Sequence, residues 1–148
     1  MCLERVDKVY KPMKDTAGTG WKVLERVLQI SHSTGENVIG LQFPYSLQKI
    51  TFGKWMKRQW RPSQEWDAPE YYRVMHDEHG VSYPVGFHVF TDYDEALDYR
   101  GNSKFYEVVE VEWRGLLAEG YQYMQYGDNK SKHKRTNCVI TREIKFHE

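Results

Sequence analysis

Long apolar runs are missing from this 148-residue chain, and so are a cysteine framework and any excess of charge of one sign. No stretch approaches the roughly 20 apolar residues that a membrane-spanning helix requires. The opening MCLERVDKVYKPMK is charged throughout and lacks the apolar segment of a secretory signal. Two cysteines, Cys2 and Cys138, make no disulfide scaffold and fit a reducing compartment. These absences predict a soluble, cytoplasmic protein with no membrane partner. Charge is dense but balanced, 21 basic against 21 acidic side chains, so bulk electrostatics designates no polyanionic partner. Any nucleic-acid contact has to rest on a local patch.

What is abundant is aromatic surface. Aromatics make up 15% of the chain, with eleven Tyr and five Trp. Such rings combine a large apolar body with a polar edge and serve both cores and contact surfaces. The chain length suits one domain with a core of its own. Turn-forming residues in DTAGTG make 1–20 a flexible lead-in. WKVLERVLQI (21–30) fits both a helical stripe, through Trp21, Leu24 and Leu28, and strand alternation; the turn cluster SHSTGEN and a second strand after it, VIGLQF, favour the strand. Pro44 to Phe52 suits a short turn or helix, and Pro62 and Pro69 bracket an irregular stretch. MHDEHGVSYP reads as a turn leading into the strand YPVGFHVF. There Phe87 and Val89 share one face while Gly86, His88 and Phe90 share the other.

TDYDEALDYRGN is the clearest helix, with Thr91 or Asp92 as cap and Gly101-Asn102 as stop. KFYEVVEVEWRG is a strand with Val109, Val111 and Trp113 inward, and Glu110, Glu112 and Arg114 on a wet face. A polar, tyrosine-rich loop spans AEGYQYMQYGDNKSKHKRTN, and CVITREIKF closes the chain as a strand. The predicted class is α+β: one domain over 1–148, a mostly antiparallel twisted sheet with one or two short helices.

Several constellations carry chemistry. KITFGKWMKRQWR (49–61) contains no acidic residue. Its Lys49, Lys54, Lys57, Arg58 and Arg61 supply phosphate attraction, and Trp55 and Trp60 supply stacking platforms, the chemistry of a nucleotide or single-strand site. The bland alternative is a solvated basic edge with the indoles turned inward. Tyr121, Tyr123 and Tyr126, beside the basic run KSKHKR (130–135), can act as rigid anchors for a partner, although such runs are usually solvated tips. His88 either lines a pocket, as an acid, base or hydrogen-bonding group, or organises the sheet, and Gly86 on the same face implies close approach of backbone or ligand. His76 and His79 in HDEH would share a face on a helix and could hold zinc, but Gly80 follows at once and favours a polar turn, so no metal is expected. Removal of Met1 would expose Cys2 as a nucleophile whose own amine is its base; a tucked-in thiol is the alternative.

The layout GFHVF, a short helix with DEA, YEVVEVEWRGLLAEG and a closing VITREIKF resembles small proteins of phages and mobile elements. Many of these begin Met-Cys-Leu, as this chain does, and GKW at Gly53–Trp55 fits the same pattern. The resemblance implies an accessory binding module. Its partner would be a host protein, a nucleic acid or a nucleotide, an anti-defence role is the expectation, and no cofactor is implied. A second resemblance, of VFTDYDEALDYRG…FYEVVEVEWRG, is to small ADP-ribosyltransferases of the rifampin-modifying kind. It implies a related fold and NAD as cofactor, with Tyr45 stacking on nicotinamide, His88 in the cleft and Glu110 or Glu112 as catalytic acid. The family's first strand carries a histidine in a YHGT-like motif, where this chain has WKVL.

Overall fold

Alternation of apolar and polar residues puts most of this chain into strands. In a computed structural model the described residues are 3–30, 35, 37–43, 50–58, 74–101, 104–123 and 135–147. In chain order the elements are β1 (Arg5–Ile30), β2 (Asn37–Gln42), β3 (Trp55–Lys57), β4 (Val74–His76), β5 (Ser82–Pro84), β6 (Phe87–Phe90), α1 (Tyr93–Arg100), β7 (Tyr106–Tyr123) and β8 (Arg135–Phe146). All strand pairings are antiparallel. The protein is a single, mainly β domain of the α+β class. Among the described residues no helix is long and apolar enough to cross a membrane.

Four strands form a closed circuit: β1 pairs with β7, β7 with β8, β8 with β6, and β6 returns to β1 at Trp21↔Phe90. β2 extends the sheet beyond β1, and β3 extends it beyond β8. Closing such a short circuit requires the long strands to bend. The β1–β7 register shifts between Val6 and Lys8, Val9 and Lys14, and Lys14 and Ala17. On β7, Gly115 adopts φ 77° and the β8 register shifts between Leu116 and Ala118. Such irregularities add local twist and redirect a strand without ending it.

Two sequence expectations fail for this reason. Residues 1–20 are not a flexible lead-in, because β1 already begins at Arg5 and pairs along β7. Its glycines serve close approach, and at Gly20 a Cβ would strike the Val89 side chain and the Phe90 carbonyl. Likewise the segment from Ala118 is no loop at first, since β7 runs on to Tyr123. The helix is as expected: the Asp92 side chain accepts the Glu95 amide at 2.9 Å, and Gly101 with φ 66° ends the helix.

The sheet separates two cores. The first contains Leu24, Phe43, Met56, Phe87, Val89, Val111, Ile144 and Phe146. The second contains Leu3, Val23, Tyr83, Phe90, Cys138 and Ile140, together with Ala96 and Tyr99 of α1. β6 contributes to both, Phe87 and Val89 to one and Phe90 to the other, as its alternation predicts. Each large buried side chain contributes about 1.5–3 kcal/mol. Both cores therefore depend on the register of this four-residue strand.

Candidate functional site

The basic–aromatic segment is divided by the pleat of β3. Trp55 and Lys57 point to the outer face, Met56 points into the first core, and Lys54 is exposed just before the strand. Trp55 is half-buried beneath two cations that the sequence reading did not include: the Arg114 guanidinium lies 4.1 Å from the indole centre and the Lys145 amine 5.8 Å. Arg114 in turn donates to Glu143 at 2.6 and 3.4 Å. That bond raises the Arg114 pKa and lowers that of Glu143. Lys145 lies 3.8 Å from Glu112. Glu112, placed in the notional catalytic pair, thus stands in a cross-strand charge ladder, while Glu110 beside it is exposed.

Arg58 follows β3 and takes a different course. It is half-buried, and burial lowers its pKa. Its charge acts on a lysine missed at the sequence level, Lys22 of β1. Lys22 is 6% exposed and shares the strand phase of Leu24. Its Nζ donates to the His88 carbonyl at 2.7 Å and lies 5.6 Å from the Phe43 ring centre. Burial, reinforced by Arg58, lowers the Lys22 amine to about 7. The sequence signal was available: a lysine in register with the core residue Leu24 in WKVLERVL.

His88 is 4% exposed, with its ring on the second core's side of the sheet. Its Nε2 lies 3.4 Å from the Tyr83 hydroxyl, and the two rings meet edge to face at 6.1 Å. Tyr83 also accepts the Leu3 amide at 2.8 Å. Burial first, then the charges of Lys22, the N-terminus and Arg58, push the imidazole well below its ordinary range, so it is neutral. The close approach implied by Gly86 is to backbone, because a Cβ there would fall 2.5 Å from the Thr141 carbonyl. His88 is therefore sealed within the sheet and its partners.

Tyr121 is buried in β7, and the Arg135 guanidinium lies 4.5 Å from its ring centre. Tyr123 ends the strand. Tyr45, Lys49, Trp60, Arg61, Tyr126, Cys2 and residues 130–134 lie outside the described residues. HDEH forms the turn of the β4–β5 hairpin, with Gly80 at φ 80°. Among the described residues no group of three or more His, Cys, Asp or Glu side chains is placed to hold a metal ion. Burial pushes the Cys138 thiol up, so it is a core group without thiolate character.

The segment thus serves two different surroundings. Outside, an indole is covered by paired charges. Inside, Lys22 lies beside the Phe43 ring, and the charge of Arg58, from a distant part of the sequence, helps to lower its pKa to about 7. No family pattern, curated protein or solved structure matches this chain.

Proposed function

We propose that this protein is a non-catalytic binding module for a phosphate-bearing partner, a nucleotide or single-stranded nucleic acid. It engages the partner through Arg58 and Lys22, with Lys54 and Lys57 at the approach. One observation carries the reading. Among the described residues the buried Lys22 makes one hydrogen bond, to the neutral His88 carbonyl, and the charge that acts on it most is another cation, Arg58. Bringing two like charges out of water costs several kcal/mol. An anion reverses that cost by favouring the charged form of Lys22 and offering an acceptor to its remaining N–H groups. The flanking lysines are exposed and add long-range attraction.

Titration of the tryptophan fluorescence with nucleoside triphosphates and an oligothymidine tests the reading. Binding that weakens with the logarithm of salt concentration is expected. Arg58→Gln should weaken it at least tenfold, because each charge-assisted bond to phosphate contributes about 1.5–3 kcal/mol. Salt-independent binding, or wild-type affinity in Arg58→Gln, rejects the proposal.

A further inference from the structure

A second site lies away from Lys22, where the β4–β5 hairpin faces the bend of β1. The strand pairs of the hairpin are Val74↔Pro84, Met75↔Tyr83 and His76↔Ser82. Alternation sends Met75 and Tyr83 into the second core. The other two pairs therefore present one face: an apolar pair, Val74 and Pro84, followed by a polar pair, His76 and Ser82. That face lines a cleft of about 290 Å³, and Tyr83 of β5 and Lys11 of β1 line it as well.

The hairpin is well anchored. The buried Asp77 carboxylate accepts the amides of Val6 at 2.9 Å, His79 at 2.9 Å and Val81 at 2.8 Å. Burial raises its pKa, but these three amides outweigh burial and hold the carboxyl below its ordinary range. Glu78 donates its amide to the Glu4 carbonyl at 3.2 Å. The cleft walls are thus fixed to the edge of the sheet, as a preformed binding site requires.

The polar pair determines what the cleft can recognise. Ser82 Oγ and His76 Nδ1 are 3.1 Å apart. If the serine donates, the neutral imidazole keeps its Nε2–H; if the imidazole donates, the serine keeps its O–H. Among the described residues one donor remains unused in either tautomer. A serine–histidine pair invites a hydrolytic reading, but that chemistry also needs a carboxylate to orient the imidazole. The adjacent carboxylate, Asp77, is occupied by three backbone amides.

Lys11 then supplies a cation, the His76–Ser82 pair a hydrogen-bond donor, and Val74 and Pro84 an apolar wall. No acidic side chain lines the cleft among the described residues. We propose that this cleft binds a small free carboxylic acid with an apolar tail. The carboxylate would sit between Lys11 and the His76–Ser82 pair, and the tail against Val74 and Pro84. The site is independent of the phosphate-binding reading.

Hexanoate and its neutral counterpart hexanamide, titrated into the ¹⁵N-labelled full chain, test this. Hexanoate should give saturable amide shifts centred on Val74, His76 and Ser82, and hexanamide should bind about tenfold or more weakly, as expected for loss of one charge-assisted contact. Lys11→Gln, at an exposed position, should weaken hexanoate by a similar factor and leave the rest of the spectrum in place. Arg58→Gln should leave hexanoate binding unchanged, which separates this site from the Lys22 region. Equal binding of acid and amide, an unaffected Lys11→Gln, or shifts centred on Lys22 and Phe43 overturns the proposal.

Discussion

Lys22 and His88 are buried bases on opposite sides of one sheet, and they meet the loss of water differently. His88 becomes neutral, and its Nε2 lies within reach of the Tyr83 hydroxyl, an uncharged neighbour. Lys22 cannot be accommodated so simply. It donates to the His88 carbonyl, yet an ammonium carries three N–H groups, and Arg58 opposes its charge. The two bases touch through that carbonyl, so the contrast is one of surroundings rather than distance. A histidine between aromatics looks functional in sequence and is structural in the fold. A lysine among leucines looks like an ordinary strand residue and is the group whose burial calls for an explanation. Burial is informative when it strands a charge.

Removing the charge on the Lys22 side should have the largest effect. Lys22→Met is expected to stabilise the free protein at pH 7 by roughly 3 kcal/mol: about 4 from relief of desolvation, less about 1 for the lost hydrogen bond. Nucleotide binding should be lost in the same variant. The sign of the pH dependence follows from the lowered amine. With a folded pKa of about 7 against an ordinary 10.5, the folded state holds fewer protons than the unfolded state in that window. Wild-type stability therefore rises with pH from about 7 to 10.5, and Lys22→Met should flatten the slope. Urea denaturation across this range is the measurement, and a destabilised Lys22→Met would refute the account.

The His88 side should respond in the opposite direction. His88→Phe removes the contact with Tyr83 and enlarges a packed side chain, so a loss of about 1–2 kcal/mol is expected. Because folding pushes the imidazole well below 6.5, the unfolded state binds more protons under that pH. Wild-type stability is thus lost as the solution is acidified below 6.5, and His88→Phe should remove this part of the acid loss. Nucleotide affinity should stay within a factor of about two, since the ring packs against Tyr83 of the second core while Lys22 lies by Phe43 of the first.

A smaller contribution comes from the edge of the second core. Burial, with a hydrogen bond and repulsion from Glu78, raises Glu4 from 4.5 to about 7. Here the folded state binds more protons, so this contribution is present in acid and lost as pH rises from 4.5 to 7, counter to His88. Faster amide exchange at Glu78 above pH 7, abolished in Glu4→Gln, is the expected signature. Exchange insensitive to pH beyond its intrinsic dependence would refute it.

The local order of the chain was readable because short-range chemistry sets it. The alternation in Phe87–Phe90 assigned each side chain to the correct core, and Asp92 and Gly101 marked the helix ends. The reading of DTAGTG as a lead-in, and of the segment from Ala118 as a loop, failed for one reason. Glycines that normally end strands here let two long strands bend around each other. The basic run was legible as chemistry but not as geometry, because a single pleat sends Trp55 and Lys57 outward while Arg58 follows a different course. Lys22 lies far from that run in sequence, and only the shared sheet brings their charges together.

By itself, then, the sequence determined the helix and its ends, the alternation of the short strand 87–90, the absence of net charge, and the residue types available for binding, because these depend on composition and neighbours a few positions apart. Tertiary structure alone decided which base is buried beside an uncharged hydroxyl and which is buried with one carbonyl partner and an opposing cation. That depends on what stands across the sheet, and pairing partners are set by the closure of the whole circuit of strands, from Trp21 on β1 to Phe90 on β6.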